Sequence, residues 1–594
     1  MKDSKGPQPT ALPADAPSSL PRLASSESLS SAQWIPCVAL DVECTREHFH
    51  AALLDLVFQP ELSSSTILRG DILQDDEQPL SPPLSLPGYR CTRRIRRRLL
   101  PSRPSIDWAM EQECLSYNAA INDEEAPDQD GEGLVLLVPD LEQLRQEDPD
   151  GRIPYYHPQV AALAFRYFPP TSSMPSPSLR LDLMPLPSQP VAAPLPPSDR
   201  LYRTGLMLVK YAAKLCKGQA VGWQKRVHHD LLAGKEEVQD LYQELKTKYT
   251  ADIAAQSPRI TFRWMLHNWR ESTDAAKHVF EDVAIAAWLI IVWRHMYPDT
   301  GGQPPGGFVD VGCGNGLLVF ILNAEGYRGY GFDLRERKSW AGYTSPRPDL
   351  RVESISPPAL IAAHLASVSS ASSSRLSEPS SRAAAPGPEW PFPRDSFLIG
   401  NHADELTPWL ALLAACTPGE RVAFLNIPCC LHELSGRFER QTYSIPAAYL
   451  ASLPTAPTSP VDSAGASATT YPLLTPFYAP TPSTFSPSPS KDPGASITGG
   501  RYAAYQLYLA HLALRCGFVP EREALRIPST KNFGMLGRKR VWDDGKGTEG
   551  GLGAEERRSE GEERVKREVA ELLREVERKG EWKARRPEGK AGEH

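Results

Sequence analysis

Residues 306–340, "GGFVDVGCGNGLLVFILNAEGYRGYGFDLRERKSW", carry the most informative pattern in this chain. An apolar strand is followed by a glycine-rich turn, an apolar helix, a second turn and a second strand. This order makes one βαβ unit, whose two strands pair in parallel because a helix connects them. We therefore predict an α/β fold built on a parallel sheet.

The turn "DVGCGNG" places Gly312, Gly314 and Gly316 in the spacing GxGxG. Glycine allows the backbone to bend sharply and to approach a bound nucleotide closely. A dinucleotide-binding turn would carry a further Gly or Ala where Leu317 stands, so the dinucleotide pattern is not met. The turn therefore indicates a different nucleotide-like ligand.

Two carboxylates flank this turn, because Asp310 precedes it and Asp333 ends the second strand. A carboxylate at the second strand end can accept both ribose hydroxyls of an adenosine. The combination predicts an S-adenosylmethionine site in a class I, Rossmann-like methyltransferase fold, with a structural turn or a degenerate nucleotide fold as the alternative. The residues expected to bind the cofactor are Asp310, Gly312, Gly314, Asn315, Gly316, Asp333 and Asn401.

Further strands are predicted downstream. "SFLIGNHADE" at 396–405 and "RVAFLNIPCC" at 421–430 read as strands on either side of the helical stretch "TPWLALLAAC". "REALRIPST" and "NFGMLGRKR" predict a closing antiparallel hairpin at the edge of the sheet. Because the loops that follow parallel strands share one edge of a sheet, the segments after the two strands are expected to face the ligand site.

Composition divides the rest of the chain. The predicted segments are a disordered tail at 1–30, an α+β region at 31–165, a Pro-rich linker at 166–200, an α-rich helical segment at 201–300, the methyltransferase domain at 301–541 with disordered insertions near 365–393 and 452–499, and a charged tail, helical or disordered, at 542–594. In that tail, Val565, Val569, Leu572 and Val576 repeat at a/d-like spacing. This spacing predicts a solvated helix or a loose coiled coil, with a partner-binding site as the alternative.

Bulk properties exclude several classes of protein. The net charge of −7 over 594 residues gives no overall basic field, so any nucleic-acid surface must be local. Ten cysteines without CxxC pairs fit free thiols in a reducing compartment. The N-terminal residues resemble neither a signal peptide nor a mitochondrial presequence, and the longest apolar run, Val283 to Trp293, is too short for a membrane span. A soluble cytosolic or nuclear protein without membrane association is expected.

The chain resembles the fungal and animal family of tRNA(Ser) uridine-44 2'-O-methyltransferases. The stretches that carry the resemblance are "IPYYHP" at 153–158, "GWQKRVHHDLL" at 222–232, "KHVFEDVAIAAWL" at 277–289, "FVDVGCGNGLLV" at 308–319, "GFDLRERKSW" at 331–340, "GNHADELTPW" at 400–409, "IPCC" at 427–430 and "LRIPSTK" at 525–531. The resemblance implies a cytoplasmic enzyme that transfers a methyl group from S-adenosylmethionine to a uridine 2'-hydroxyl in serine tRNA. It leaves open whether an accessory tRNA-binding protein assists.

Two other functions remain as alternatives. A methyltransferase of another RNA or of a protein would keep the glycine-rich turn but would not need the "RVHHDLL" and "RIPSTK" stretches. A non-catalytic RNA-binding scaffold would be expected to have lost Asp310 or a glycine of the turn, and none is lost.

The segment "NHADELTPW" supplies the first candidate catalytic residues, Asp404 and Glu405, next to His402. A ribose hydroxyl is a weak acid, so a base or a cation near the developing alkoxide should help the transfer. The alternative for the two acids is a cap on the helix near Thr407 or a contact with the cofactor amine. For His402 the alternative is a plain polar loop residue.

The segment "NIPCCLHE" holds Cys429, Cys430 and His432. Adjacent cysteines seldom ligate one tetrahedral ion together, and a disulfide between neighbours is strained, so neither a metal nor a redox pair is expected. The position after a strand predicts instead a wall of the acceptor pocket, with His432 as a candidate base. Plain core packing is the alternative.

Local basic clusters are the candidate RNA contacts. They are "RRIRRR" at 93–98, "KRVHH" at 225–229, "RERK" at 335–338, and "STK" with "GRKR" at 529–540. The residues expected to bind the substrate are Lys225, Arg226, His228, His229 and Lys531, together with Cys429 and Cys430. A solvated face is the alternative for each cluster, and a nuclear signal for "RRIRRR".

Overall fold

A computed structural model describes most of the chain, and it divides into two compact units, 1–224 and 225–594. The described residues are 9–12, 20, 33–79, 84, 86–104, 106–119, 131–148, 150–172, 174–186, 194–223, 229–250, 269, 271, 274–343, 346–374, 390–446, 449, 452–453, 495–497, 500–543, 553–580 and 582. Most of the predicted tail at 1–30 and of the two predicted insertions lies outside these residues.

The N-terminal unit is an eight-stranded antiparallel sheet with helices. Its elements are β1 (Thr10–Ala11), β2 (Ile35–Asp41), α1 (Arg46–Phe58), β3 (Ile67–Glu77), β4 (Tyr89–Pro101), β5 (Met110–Ala119), β6 (Gly133–Pro139), α2 (Leu141–Glu147), β7 (Val160–Phe168), β8 (Ser178–Pro185) and α3 (Arg200–Ala220). The strand order is β1-β2-β8-β7-β6-β5-β4-β3. Helices α1 and α3 pack on the sheet through buried residues such as Phe49, Leu53 and Val209.

Three predictions for this unit are wrong. The stretch predicted as a Pro-rich linker contains β8, which pairs with β2 and β7 inside the sheet. Its alternating Leu179, Leu181 and Leu183 are buried, and the prolines lie at its two ends. Helix α3, predicted to lead into the catalytic domain, packs on the same sheet, and the N-terminal region, predicted to be α-rich, is built mainly of strands. Within the predicted tail, Thr10 and Ala11 pair with β2.

The basic cluster "RRIRRR" lies on β4 and is largely neutralised by neighbouring carboxylates. Arg93 pairs with Asp75 at 2.7 Å, and Arg94 pairs with Glu113 at 2.8 Å. Arg96 and Arg98 pair with Glu111 and Glu147 in the same way. Cross-strand ion pairs of this kind satisfy the guanidinium groups locally, which disfavours the prediction that this cluster contacts phosphates.

The C-terminal unit is built on a seven-stranded mixed sheet. Its helices are α4 (Lys235–Thr250), α5 (Ala275–Met296), α6 (Leu317–Ala324), α7 (Pro357–Ser374), α8 (Leu410–Cys416), α9 (Arg501–Arg515) and α10 (Ala554–Lys579). Its strands are β9 (Phe308–Val311), β10 (Gly329–Asp333), β11 (Leu350–Val352), β12 (Phe397–Asn401), β13 (Ala423–Ile427), β14 (His432–Glu433), β15 (Gly436–Arg437), β16 (Tyr443–Ile445), β17 (Ala495–Ile497), β18 (Phe518–Ala524) and β19 (Phe533–Arg540).

The order of this sheet is β11-β10-β9-β12-β13-β19-β18, and strands β9 to β13 are parallel. The closing hairpin of β18 and β19 is antiparallel and lies at the edge, as predicted. The strand order reverses between β9 and β12, because the chain adds strands on one side of β9 and then on the other. Such a switch point leaves a crevice at the carboxyl ends of the strands.

Helix α5 is the central helix of this unit. It is apolar on nearly all sides, and Trp288 and Trp293 are buried with the sheet residues Phe308 and Phe397. A helix that is hydrophobic all round must be covered on every face. Its two acids, Glu281 and Asp282, are nevertheless 4% and 6% exposed, so they require partners inside the fold. No described helix is long and apolar enough to cross a membrane.

The charged tail is helical, but the prediction of a solvated helix is wrong. Val565, Val569, Leu572 and Val576 of α10 are buried in the same core as α8 and α9. The helix is also held by Arg515 of α9, which bonds to Glu568 at 2.6 Å and to Glu575 at 3.0 Å. The a/d spacing therefore marks a helix that docks on its own domain.

Candidate active site

The glycine-rich turn lies at the carboxyl end of β9, at the switch point of the sheet. Gly312, Gly314 and Gly316 all have positive φ, at 75°, 52° and 74°. At Gly316 a Cβ atom would lie 2.7 Å from the side chain of Leu350, so glycine is required there for packing as well as for conformation. The turn thus has the tight backbone path that the sequence predicts.

Asp333 connects the second strand end to this turn. Its Oδ2 accepts the Gly314 N–H at 3.0 Å, and Arg337 donates to its Oδ1 at 3.2 Å. The indole of Trp340 donates to the Gly314 carbonyl at 2.9 Å. These contacts fix both sides of Gly314, where a Cβ would meet no atom within 4 Å. The open space next to a fixed backbone is suited to a bound ligand.

Asp282 and Asp310 form a buried acidic pair beside the turn. Burial, followed by the nearby charges of Asp282 and Asp333, raises the pKa of Asp310 well above its usual range. Burial and the neighbouring Glu281 raise the pKa of Asp282 to about 7. The charges of Asp282 and Asp333 both act on Asp310, and such a group of carboxylates favours a cation nearby. The site is therefore electrostatically prepared for a positively charged ligand.

Several polar atoms at this edge are buried and have no hydrogen-bond partner in the described part of the chain. They include Oδ1 of Asp310, Oδ1 of Asn401 and Nδ1 of His402. Buried polar groups are normally satisfied, so this group of atoms is suited to a polar ligand. The ammonium and sulfonium of S-adenosylmethionine fit a site with carboxylate and amide oxygens. When bound, the cofactor supplies a methyl group on a positively charged sulfur.

Sequence reasoning missed Glu281 and Asp282. Asn401 Nδ2 donates to Asp282 at 3.2 Å, and His402 Nε2 lies 3.1 Å from Glu281. Both acids come from α5, which ends at Met296 and is followed along the chain by β9 and the glycine-rich turn. The available signal is the pair "ED" inside the apolar run "HVFEDVAIAAWLIIVW", because charged residues are rarely buried without a specific partner.

Asp282→Asn should remove a pH dependence of stability. The folded carboxyl has a pKa of about 7, whereas the unfolded one has a pKa of about 4. Between these values the folded state holds a proton that the unfolded state has released, so the free energy of unfolding falls as the pH rises from about 4 to about 7. Asparagine does not titrate, and the variant should be more stable than the parent by on the order of 2 kcal/mol at pH 8.

Urea unfolding at pH 4.5 and pH 8 measures this difference. Glu236→Gln, at an exposed position on α4, is the matched control and should leave the difference between the two pH values unchanged. An Asp282→Asn protein with the parent's pH dependence would contradict the buried position of this carboxyl.

The loop after β12 carries the first candidate catalytic residues. His402 and Asp404 have positive φ values of 55° and 44°. Such conformations are strained for residues other than glycine and concentrate at functional sites. A short 3-10 helix begins at Asp404 and ends at Trp409, and its N-terminal residue Ala403 makes no side-chain cap. The alternative that Asp404 or Glu405 caps a helix near Thr407 is thus wrong, since both lie in the first turn.

The segment after β13 meets this loop. Cys429 Sγ lies 3.6 Å from Asp404 Oδ1 and 3.4 Å from Cys430 Sγ. The neighbouring Cys430 thiol and burial raise the pKa of the Cys429 thiol. The ligand atoms of these three residues lie within 4.8 Å of one another. Together they form one wall next to the end of β13.

Lys531 and His432 lie near the same wall. The Tyr502 hydroxyl donates to the Pro428 carbonyl at 3.0 Å, and Lys531 Nζ lies 4.0 Å from the centre of the Tyr502 ring. Tyr502 thus contacts both Lys531 and the segment that carries the two cysteines. His432 starts β14, which pairs with β15 in a two-stranded hairpin.

The stretches "RVHHDLL" and "LRIPSTK" meet in space. The imidazole of His229 bonds to the carbonyl of Ala524. Arg526 makes a two-pronged ion pair with Asp230, at 2.6 and 2.8 Å, and Glu523 accepts the Asp230 N–H at 2.9 Å. His229 therefore holds a defined position at the end of β18. Lys225, Arg226 and His228 lie outside the described residues.

Comparison with known proteins shows which families this chain is similar to. Residues 10–226 match a family model described as a TRM44-like, N-terminal bet v1-like domain, and residues 232–355 match one described as a predicted AdoMet-dependent methyltransferase. A tRNA (uracil-O(2)-)-methyltransferase of Neurospora crassa is 34% identical over 84% of this chain and 86% of its own. Proteins of the same name from Schizosaccharomyces pombe and Saccharomyces cerevisiae are 33% and 26% identical, over 87% and 88% of this chain and 87% and 92% of their own.

The mixed α/β fold and the acidic crevice at the glycine-rich turn define an S-adenosylmethionine-dependent methyltransferase. The chain belongs to the tRNA (uracil-O(2)-)-methyltransferase family. This confirms the family that the sequence motifs predict.

Proposed function

We propose that this protein methylates the ribose 2'-hydroxyl of uridine 44 in serine tRNA, with a class I, Rossmann-like domain that acts in the cytoplasm. The relatives' shared name supports the tRNA uridine substrate. The sheet order and the reversal next to β9 support the Rossmann-like class. The observation that carries the proposal is the group of buried acids at the turn, since a cationic methyl donor is the ligand that such a group stabilises.

The proposed cofactor site combines the turn with the ends of β10 and β12. Gly312, Gly314, Asn315 and Gly316 would border the cofactor, Asp333 would accept its ribose hydroxyls, and Asp310 and Asn401 would face its positive charge. Asn315 is positioned for this because its Oδ1 accepts the Leu317 N–H at 2.7 Å and so begins α6. Asp282 accepts a hydrogen bond from Asn401 Nδ2 and would hold that side chain in position.

The proposed acceptor site is the wall formed by Asp404, Cys429 and Cys430. Methyl transfer is an in-line displacement, so the main task of the protein is to hold the ribose oxygen close to the methyl carbon. Asp404 is the proposed proton acceptor for the hydroxyl, and His432 and Glu405 are the other candidates. The pair of His402 and Glu281 would fix the strained loop that presents Asp404. Lys531, with His229, Lys225, Arg226 and His228, would contact the tRNA backbone.

Nucleoside mass spectrometry of serine tRNA tests the proposal. In cells that lack this protein, 2'-O-methyluridine at position 44 should disappear, and the purified protein with S-adenosylmethionine should restore it on an unmodified transcript. A transcript with cytidine at position 44 is the matched control and should not be methylated at that position. Unchanged 2'-O-methyluridine in the cells would refute the serine tRNA assignment and leave methylation of another RNA or of a protein.

Adding cell extract to the purified protein tests whether an accessory tRNA-binding protein is needed. If the protein methylates the transcript alone, no accessory tRNA-binding protein is needed. If it binds the transcript but never transfers a methyl group, with or without extract, the non-catalytic scaffold is the better description.

A further inference from the structure

Helix α3 of the N-terminal unit has an unusually one-sided charge. Its 21 residues include five cations and no Asp or Glu, although the whole chain carries a net charge of −7. The cations are Arg200, Arg203, Lys210, Lys214 and Lys217. Within the described part of the chain none of the five forms an ion pair, in contrast to the paired arginines of β4. An exposed basic face without local carboxylates is the electrostatic requirement for binding phosphates.

A cavity of about 700 Å³ lies under the same helix, entirely within the N-terminal unit. Its apolar lining includes Leu99, Leu137 and Leu163, and α3 contributes Thr204, Met207, Lys210, Tyr211 and Lys214. The volume lies in the range of small-ligand pockets and is sufficient for a nucleoside. No Asp or Glu is among the lining residues.

The motif "IPYYHP" forms the entrance and floor of this cavity. Tyr155 is 67% exposed, and the Arg200 guanidinium lies 4.1 Å from the centre of its ring. An exposed aromatic ring with a cation stacked on it is a surface on which a nucleobase can stack. His157 lies deeper, where its Nε2 contacts Gln112 at 3.0 Å. The resemblance to the tRNA methyltransferase family includes this motif, but the catalytic site does not use it.

Arg97 gives the floor of the cavity a positive charge. It is 3% exposed, and its guanidinium bonds to the Gln112 side chain and to the carbonyls of Leu56 and Val57. These acceptors are neutral, whereas a buried cation is usually paired with a carboxylate. The entrance and the floor therefore both favour a ligand with acceptor groups or negative charge.

We propose that the cations of α3 bind the sugar-phosphate backbone of the tRNA substrate, and that one unstacked base of that RNA stacks on Tyr155 and enters the cavity. The proposal rests on the tRNA substrate proposed above. RNA recognition commonly uses unpaired nucleotides whose bases stack on aromatic side chains while basic residues contact the phosphates. The lysines of α3, the exposed Tyr155 and the adjoining cavity supply these three components on one face of one unit.

Binding of the full-length protein to an unmodified serine tRNA transcript tests this surface. Lys210→Gln/Lys214→Gln should weaken binding about tenfold and reduce the salt slope of log K by about two, because two phosphate contacts are lost. Tyr155→Ala should weaken binding about tenfold with the salt slope unchanged, because stacking carries no charge. All three side chains are exposed, so the variants should keep the parent's melting temperature and affinity for S-adenosylmethionine.

The control variant is Arg103→Gln/Arg145→Gln. It changes the charge of the same unit equally at two exposed arginines that neither belong to α3 nor line the cavity. It should bind tRNA as the parent does. If it weakened binding as much as the lysine variant, the effect would be one of net charge, and the proposed surface would be wrong.

Two other outcomes also overturn the proposal and differ from each other. If the parent protein methylates the transcript and the α3 and Tyr155 variants bind it equally well, the surface is wrong but the proposed function stands. If the parent neither binds nor methylates the transcript, both fall together. A third outcome is measured with the fluorescent dye anilinonaphthalene sulfonate. If the dye binds in the cavity and tRNA does not displace it, the cavity is a site for small amphiphilic anions and the proposal is wrong.

Discussion

Asp310→Asn should abolish methyl transfer and weaken the binding of S-adenosylmethionine more than a hundredfold, while the protein becomes no less stable. The Asp310 side chain is 1% exposed, its Oδ1 has no hydrogen-bond partner in the described structure, and its pKa is raised well above the usual range by burial and by Asp282 and Asp333. A carboxyl in this position destabilises the folded protein when it is charged. A positively charged ligand, as proposed for this site, would be stabilised by that charge in return.

Titration calorimetry with S-adenosylmethionine measures the loss of affinity, and a hundredfold change corresponds to about 2.7 kcal/mol. Urea unfolding of the same protein without cofactor measures stability, which should be equal to that of the parent or higher at pH 8. Asparagine has nearly the same shape as aspartate, so lost packing does not explain a loss of binding. The stability and the affinity should therefore change in opposite directions, as expected where function and stability conflict.

Asp182→Asn is the matched control in the N-terminal unit. Asp182 is 0% exposed like Asp310, but it bonds to Arg166 at 3.3 Å and to Arg180 at 2.6 Å. Arg166 also pairs with Glu132, so removing the Asp182 charge weakens this buried group of ion pairs rather than abolishing it, which should cost about 3 kcal/mol. This variant should be less stable with its cofactor affinity unchanged. If Asp310→Asn behaved like Asp182→Asn, the Asp310 carboxyl would be a structural group and the proposed cofactor site would be wrong.

The sequence predicts the turn correctly because the information there is local. Asp310, the three glycines and Asp333 belong to one continuous βαβ unit, and the glycines follow from its backbone path, which has positive φ at each of them. The closing hairpin of β18 and β19 is predicted for the same reason, since the two strands are neighbours in the chain.

The sequence does not predict features that depend on distant docking. Glu281 and Asp282 join the site only because α5 packs on the sheet, and their role depends on Asn401 and His402 more than a hundred residues later. The a/d spacing of α10 is the same for a solvated coiled coil and for a helix docked through Val569. The prolines near β8 predict a linker. Composition alone does not show that the short stretch between them has alternating leucines that are buried in a strand.

Asp404→Asn should lower the rate of methyl transfer by about 10²–10³-fold and leave the affinity for S-adenosylmethionine within about twofold of the parent. Asp404 lies 3.6 Å from Cys429 and holds a φ of 44°, a conformation that asparagine tolerates as well as aspartate does. The substitution thus keeps the backbone and removes only the charge and the ability to accept a proton. Single-turnover transfer to the serine tRNA transcript measures the rate, and calorimetry measures the affinity.

His432→Ala and Glu405→Gln complete the comparison among the three candidate catalytic residues. His432 belongs to the β14–β15 hairpin beyond the cysteine wall, whereas Asp404 belongs to the wall itself. We therefore expect His432→Ala to reduce the rate by less than tenfold and Glu405→Gln to have a similarly small effect. A larger loss for His432→Ala than for Asp404→Asn would instead assign proton transfer to the hairpin, and Asp404 would then only shape the pocket. Either result identifies which of the segments after β12 and β13 faces the ribose, since a base must reach the hydroxyl that it deprotonates.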